Sequence, residues 1–298
     1  MREKLRLAKL KIAIVIVLVV TTSALAIPTF ISLNQLRQHI SRVPVRSQDT
    51  PTTYGLAYTE NFITSQDNIR LNTWYIPSVP SRATVILIPG IRRSKVDMLG
   101  PARQLYAAGY STLLVDLRGE GGSQGDQSYL GTKEWQDVSA AFDFAKSQPE
   151  SQGRKVGFVS FSMGSAATLV AAGKLGIGEF ILAAVPFTNF NRLADFNLQQ
   201  RHWPTWLSPF SLLAGRILLG AGYQETVPER YIRNIRSPIL LVGGDRDQTV
   251  LPTDAAYLYS LANQPKQLWQ SPDGHFVFED NPDAFGQRML DFLNEYAK

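Results

Sequence analysis

One stretch limits the fold of this chain more than any other: Val156-Gly157-Phe158-Val159-Ser160-Phe161-Ser162-Met163-Gly164-Ser165-Ala166-Ala167. An apolar run leads into Ser160-x-Ser162-x-Gly164, and a run of small residues follows. The pattern predicts a strand that turns sharply into a helix at Ser162, the arrangement of a nucleophile elbow. The chain doubles back so tightly there that the residues two before and two after must be small. The Ser162 hydroxyl then stands clear of the strand at a helix N-terminus, where free N–H groups and the helix dipole favour developing negative charge. The competing account is an ordinary strand-to-helix turn with a capping serine.

The surrounding sequence supplies the matching fold. Phe62–Thr64 and Leu71–Ile76 flank the polar turn Ser65-Gln66-Asp67-Asn68 and predict an antiparallel hairpin. Thr84–Ile88 is continuously apolar, as expected for a strand buried on both faces. Met98–Ala108 predicts a helix ended by Gly109, followed by a strand at Ser111–Val115 and a helix at Trp135–Ser147. Further strands are expected at Lys155–Val159, Phe180–Val185, Ile239–Val242 and Gln267–Trp269, with helices at Asp254–Asn263 and Pro282–Tyr296. This alternation implies right-handed crossovers and a mostly parallel, doubly wound sheet with helices on both faces, an α/β fold. Residues 187 to about 236 break the rhythm with Trp203-Pro204, Trp206, Ser208-Pro209-Phe210 and Leu212-Leu213, and read as a helical insertion placed like a lid.

A serine hydroxyl becomes a good nucleophile only when a base takes its proton, and the base needs an orienting carboxylate. The chain has 3 histidines. His39 is expected outside the folded domain and His202 in the insertion. His275, in Ser271-Pro272-Asp273-Gly274-His275-Phe276, follows the last strand at the carboxyl edge of the sheet, where sites of such folds gather. For the acid, the strand ending Gly243-Gly244 runs into Asp245-Arg246-Asp247. Asp245 can cap the loop or be the acid itself; Asp247 is preferred because the loop turns back toward the base there. The order Ser162, Asp247, His275 is one of the known triad orders. The oxyanion of a tetrahedral intermediate needs two backbone donors. Met163, after the nucleophile, is one candidate. Ile91, in Pro89-Gly90-Ile91-Arg92-Arg93-Ser94-Lys95, is the other, since Gly90 allows close approach. Arg92 and Arg93 either hold an anionic group or are simply solvated, and solvation is the simpler reading.

The N-terminus is of a different kind. Arg2, Lys4, Arg6, Lys9 and Lys11 are opposed only by Glu3, and residues 12–33 carry no charge. At 1.5 Å per residue that stretch reaches roughly the 30 Å of a bilayer core. The sequence divides into a basic tail (1–11), a transmembrane anchor (12–33), a polar stalk (34–55) and the α/β domain (56–298). The charge excess before the apolar run predicts the N-terminus inside and the domain on the extracytoplasmic side of the cell membrane. Ala24-Leu25-Ala26 also fits a signal-peptide cleavage site, which would make the protein secreted, although the apolar run continues beyond it. Much of the net charge of +5 sits in the tail, so no basic stripe points to nucleic acid. There is no cysteine, which removes disulfides, thiolate nucleophiles and Cys-based zinc sites.

Together these segments resemble the bacterial α/β-hydrolases of the serine-aminopeptidase and monoglyceride-lipase-like group, which includes membrane-anchored members. The resemblance spans about Phe62 to Tyr296. It is carried by the oxyanion-loop string, Val115-Asp116-Leu117-Arg118-Gly119-Glu120-Gly121-Gly122-Ser123, Leu130-Gly131-Thr132-Lys133-Glu134-Trp135, the Ser162 turn, Gly243-Gly244-Asp245-Arg246-Asp247-Gln248-Thr249-Val250 and Asp273-Gly274-His275-Phe276. Two positions depart from the pattern: Pro89 stands where His is usual, and Glu120-Gly121 where His-Gly is common. The resemblance implies hydrolysis of an ester, thioester or amide by a serine hydrolase that needs no metal or organic cofactor. In it the Asp116–Ser123 string is a structural turn, and no catalytic role falls to Asp116 or Arg118. The apolar insertion and the anchor favour a small-molecule acyl ester or lipid-like substrate. Trp203 and Trp206 either line an acyl site, belong to the core or sit at the bilayer interface. The alternatives are a peptidase or aminopeptidase of the same fold and a catalytically idle, membrane-anchored binding protein.

Overall fold

The computed structural model describes residues 2–43, 45 and 47–297. In chain order the elements are α1 (Arg2–Ile40), β1 (Thr59–Thr64), β2 (Arg70–Ile76), β3 (Thr84–Ile88), α2 (Leu99–Ala107), β4 (Ser111–Val115), α3 (Trp135–Ser147), β5 (Val156–Phe161), α4 (Met163–Leu175), β6 (Ile181–Ala184), α5 (Phe190–Gln200), α6 (Ser208–Leu219), α7 (Pro228–Tyr231), β7 (Ile239–Gly244), α8 (Asp254–Leu261), β8 (Lys266–Ser271), α9 (Val277–Asp280) and α10 (Pro282–Tyr296).

The strands form one 8-stranded sheet in the order β1-β2-β4-β3-β5-β6-β7-β8. β1 and β2 form the expected hairpin, β2 joins β4 antiparallel, and all other neighbours are parallel. Every residue of β3, β4, β5, β6 and β7 is buried. That is why these strands are mostly apolar instead of alternating: each side chain meets a helix layer whichever way it points. Val85 and Leu87 of β3 face the layer of α2 and α10, with Leu105, Phe285, Met289 and Phe292. Ile86 and Ile88 face the layer of α3, α4 and α8, with Val138, Leu169 and Leu258. The expected helical insertion follows β6 as α5, α6 and α7. It has its own small core, in which Phe187, Phe190, Leu219 and Tyr223 pack together.

α1 is one continuous helix, and Lys9–Ile40 is long and apolar enough to cross a membrane. Its apolar side chains from Ile12 through Phe30 are largely exposed, as in a helix whose solvent is lipid. It also runs further than expected. Residues 34–40, assigned above to a stalk, are helical, and Ile40 is buried with Leu36 packed beside it against the insertion. Leu36 and Ile40 are four residues apart, so they form one apolar stripe on an otherwise polar turn. Beyond the helix, Arg42 donates to the carbonyls of Gly125 and Gly121 at 2.9 and 3.0 Å. Ser41 and Val43 bridge to Gln127 and Glu120. This part of the expected stalk therefore lies along the α/β domain. Pro44 and Arg46, and the side chains of Arg2 and Lys4 in the basic tail, lie outside the described residues.

Candidate active site

β5 ends at Phe161 and α4 begins at Met163, so Ser162 alone makes the turn, with φ 53° and ψ −121°. Such a backbone is unfavourable for a residue with a Cβ and persists only where its surroundings fix it. Here the Ser162 N–H donates to the Ala184 carbonyl at 2.8 Å, and the Ser165 hydroxyl donates to the same oxygen at 2.8 Å. Gly90 lies directly against the turn: a Cβ added there would be 3.1 Å from that of Ser162.

His275 comes from the loop after β8 and Asp247 from the loop after β7. The His275 Nε2 lies 2.9 Å from the Ser162 hydroxyl, and its Nδ1 lies 2.7 Å from Asp247 Oδ2. The other oxygen of Asp247 accepts the backbone N–H groups of Thr249 and Val250 at 2.7 and 2.9 Å. The carboxylate is thereby fixed at both ends, and all three residues are buried. An imidazole held in this way can take the serine proton while the carboxylate orients it and stabilises its cation. Asp245 is exposed and accepts a hydrogen bond from Gln270 at 3.0 Å, away from His275. The geometry therefore brings Asp247, and not Asp245, to the histidine.

Met163 and Ile91 line the same cavity as Ser162. Met163 is the first residue of α4, where an N–H has no carbonyl within its own helix. Two carboxylates of the Asp116–Ser123 string, expected to be a structural turn with no catalytic role for Asp116, hold the Ile91 loop in place. Glu120 accepts the Arg92 N–H at 2.7 Å, next to Ile91, while Arg92 itself has φ 60°. Asp116 accepts the Lys95 N–H at 2.7 Å, the Lys95 ammonium at 2.6 Å and the Gly122 N–H at 2.8 Å. Burial pushes the Glu120 carboxyl up to about 8, although the Arg92 N–H pulls the other way. Its Oε2 has no partner among the described residues.

The arginines of this loop are partly exposed, and each also has a partner within the protein. Arg92 donates to the Gln38 carbonyl of α1 at 2.9 Å, and Arg93 pairs with Asp97 and Glu279 at 2.8 and 2.9 Å. His202 is exposed at a turn of the insertion, away from the cavity lining. Trp203 and Trp206 are 39% and 67% exposed and do not line the cavity, so neither is a core residue. His39 corrects the sequence reading in the opposite direction: it lines the cavity instead of lying outside the domain.

The cavity above Ser162 has a volume of about 220 Å³ and is mostly apolar, with Phe187, Phe190, Leu212, Leu219 and Val250 from the insertion and neighbouring loops. Among the described residues, no three His, Asp or Glu side chains converge as a metal site requires.

The sheet, its crossovers and its strand-to-helix serine turn are those of a hydrolase of the α/β class. Residues 85–288 match the alpha/beta hydrolase family, and the chain belongs to it. It is 26% identical over 242 residues to the uncharacterized protein YfhR of Escherichia coli, covering 77% of this chain and 78% of that one. It is 25% identical over 255 residues to the uncharacterized membrane protein YNL320W of Saccharomyces cerevisiae, covering 83% of each. Among solved structures, the Pyrococcus furiosus esterase Pf2001 superposes with a TM-score of 0.74 at 24% identity, over 87% of this chain and 99% of the esterase.

Proposed function

We propose that the protein is a serine hydrolase that cleaves a carboxylic ester through an acyl-enzyme, with Ser162 as nucleophile, His275 as base and Asp247 as its orienting acid. The observation that carries this reading is the continuous relay from Asp247 Oδ2 through His275 to the Ser162 hydroxyl, at 2.7 and 2.9 Å. Ser162 Oγ attacks the ester carbonyl carbon as its proton passes to His275 Nε2. The N–H groups of Met163 and Ile91 hold the oxyanion. Collapse expels the alcohol, which takes the proton from His275. Water, deprotonated by His275, then attacks the acyl-enzyme and releases the acid and free Ser162.

An ester is favoured over a peptide with a free amino terminus because, among the described residues, no Asp or Glu lines the cavity. A buried ammonium would need such a partner. The apolar lining suits an acyl chain. We read α1 as an uncleaved anchor that places this domain on the extracytoplasmic face of the cell membrane; its exposed apolar length and the membrane protein among the relatives support the anchor, and the basic cluster before the apolar run supports the side.

The test is labelling of the full chain with a short-chain fluorophosphonate, comparing wild type with Ser162→Ala. A screen of p-nitrophenyl esters and aminoacyl-coumarins follows. Labelling that disappears in the variant, together with turnover of the esters, is the expected result. Cleavage of the coumarins alone replaces the esterase with a peptidase. Absence of labelling in wild type leaves an idle binding protein.

A further inference from the structure

The anchor helix does not stop at the edge of the α/β domain. Ser32, Gln35, Leu36 and His39 of α1 line the same cavity as Ser162. These residues recur at three- and four-residue intervals, so they share one face of the helix, about 10 Å long. The apolar residues immediately before them, Ile27, Phe30 and Ile31, are exposed as a membrane span would be. One unbroken helix thus passes from span to pocket wall with no linker between. Its seat is specific. Leu36 and Ile40 join the apolar cluster of Phe190 and Leu219, Arg201 at the end of α5 donates to the Gln35 side chain at 2.7 Å, and Arg92 donates to the Gln38 carbonyl.

We propose that the last two turns of α1 form one wall of the acyl-chain pocket, so that the substrate is a membrane-resident acyl ester that reaches Ser162 along this helix. This rests on the reading of Ser162 as the nucleophile. The wall carries both the apolar and the polar groups that such a substrate requires. Leu36 meets the chain with Phe190, Leu212 and Leu219, while Ser32, Gln35 and His39 offer hydrogen bonds to an ester headgroup. The exposed face of the insertion fits the same setting. Trp206, Leu213 and Ile217 are 67%, 44% and 57% exposed on α6 and the turn before it, and α1 packs along α6. An apolar surface beside a membrane span is stable where it meets lipid.

The test uses the full chain in lipid nanodiscs. A dodecyl fluorophosphonate with a terminal diazirine is reacted with Ser162 and then irradiated, and the crosslinked peptides are mapped by mass spectrometry. Crosslinks within residues 30–40 of α1 are expected. Crosslinks confined to the insertion or the sheet overturn the proposal, and because Ser162 has still been labelled, such a result leaves the hydrolase reading intact. Failure of a short-chain fluorophosphonate to label Ser162 counts against the hydrolase reading instead. Leu36→Trp, which fills the wall, is expected to lower the ratio of kcat/KM for p-nitrophenyl laurate to that for the acetate ester by about tenfold or more. Equal losses on both esters contradict the proposal. A long-chain fluorogenic ester should be hydrolysed at least about tenfold faster in the enzyme's own nanodisc than in separate vesicles. Equal rates remove delivery from the membrane.

Discussion

Gly164 packs against the main chain of Pro89: a Cβ at Gly164 would overlap the Pro89 carbonyl oxygen and approach Ile88 Cγ2 to 2.7 Å. The first turn of the helix behind the nucleophile and the loop that carries Ile91 are therefore pressed together through a position that accepts only hydrogen. Gly164→Ala must push them apart. Expected is a destabilisation of about 1–3 kcal/mol from overpacking, seen as a lower midpoint in urea. A larger effect is expected on fluorophosphonate labelling, because the proposed oxyanion donors, Met163 and Ile91, are moved apart. Full labelling at wild-type rate would show that the contact is structural only.

Asp247 and Asp245 are two residues apart, and their roles separate cleanly. Asp247→Asn keeps the shape but places an amide against His275 Nδ1, favouring the wrong tautomer. The expected loss in kcat is on the order of 10⁴. Asp245→Asn leaves the relay untouched and alters only an exposed contact to Gln270, so ester turnover should stay within about twofold. Comparable losses in the two variants would mean that the loop after β7 rearranges in solution.

The contrast between these aspartates also marks how far the sequence could be read. Thr84–Ile88, Trp135–Ser147 and Pro282–Tyr296 have the expected boundaries, because an uninterrupted apolar run or a strong helical period leaves little choice. Ser162 and His275 were legible because a small-residue turn and the position of a rare residue are both local signals. The choice of Asp247 over Asp245 depends on the direction in which a loop folds, which two nearby carboxylates do not specify. The end of α1 was missed for a related reason. Gln35, Arg37, Gln38 and His39 make the segment polar on average, and the Leu36–Ile40 stripe gains meaning only from its partners near Leu219, far along the chain. Glu120 carries no local signal at all, since its role arises from burial against Arg92, 28 residues before it in the sequence.

Lys95 and Asp116 form a buried pair, 4% and 0% exposed, with the ammonium over the Trp74 ring at 4.5 Å. Removing one partner leaves the other charge buried without compensation. Lys95→Met is expected to destabilise by about 3 kcal/mol, the low end of the range for such losses, because two backbone N–H groups still support Asp116. Equilibrium unfolding in urea measures this. A change below about 1 kcal/mol would place the weight of this loop's stability on the backbone contacts.

Glu120 gives a pH dependence whose sign follows from its raised pKa. Folding lifts the carboxyl from 4.5 to about 8. Between those values the folded protein keeps a proton that the unfolded chain has released. The folded state then binds more protons, so this group's contribution to stability falls as pH rises through that window, and its full penalty is present above the upper value. Glu120→Gln has no proton to lose and keeps an acceptor for the Arg92 N–H. The difference in melting temperature between variant and wild type should be small near about pH 5 and should grow in the variant's favour to about pH 9. Subtracting the two curves cancels the other titrating groups, so the difference isolates this carboxyl. A pH-independent difference would mean that Glu120 is ionised in the folded protein at ordinary pH, with its Oε2 reached by water.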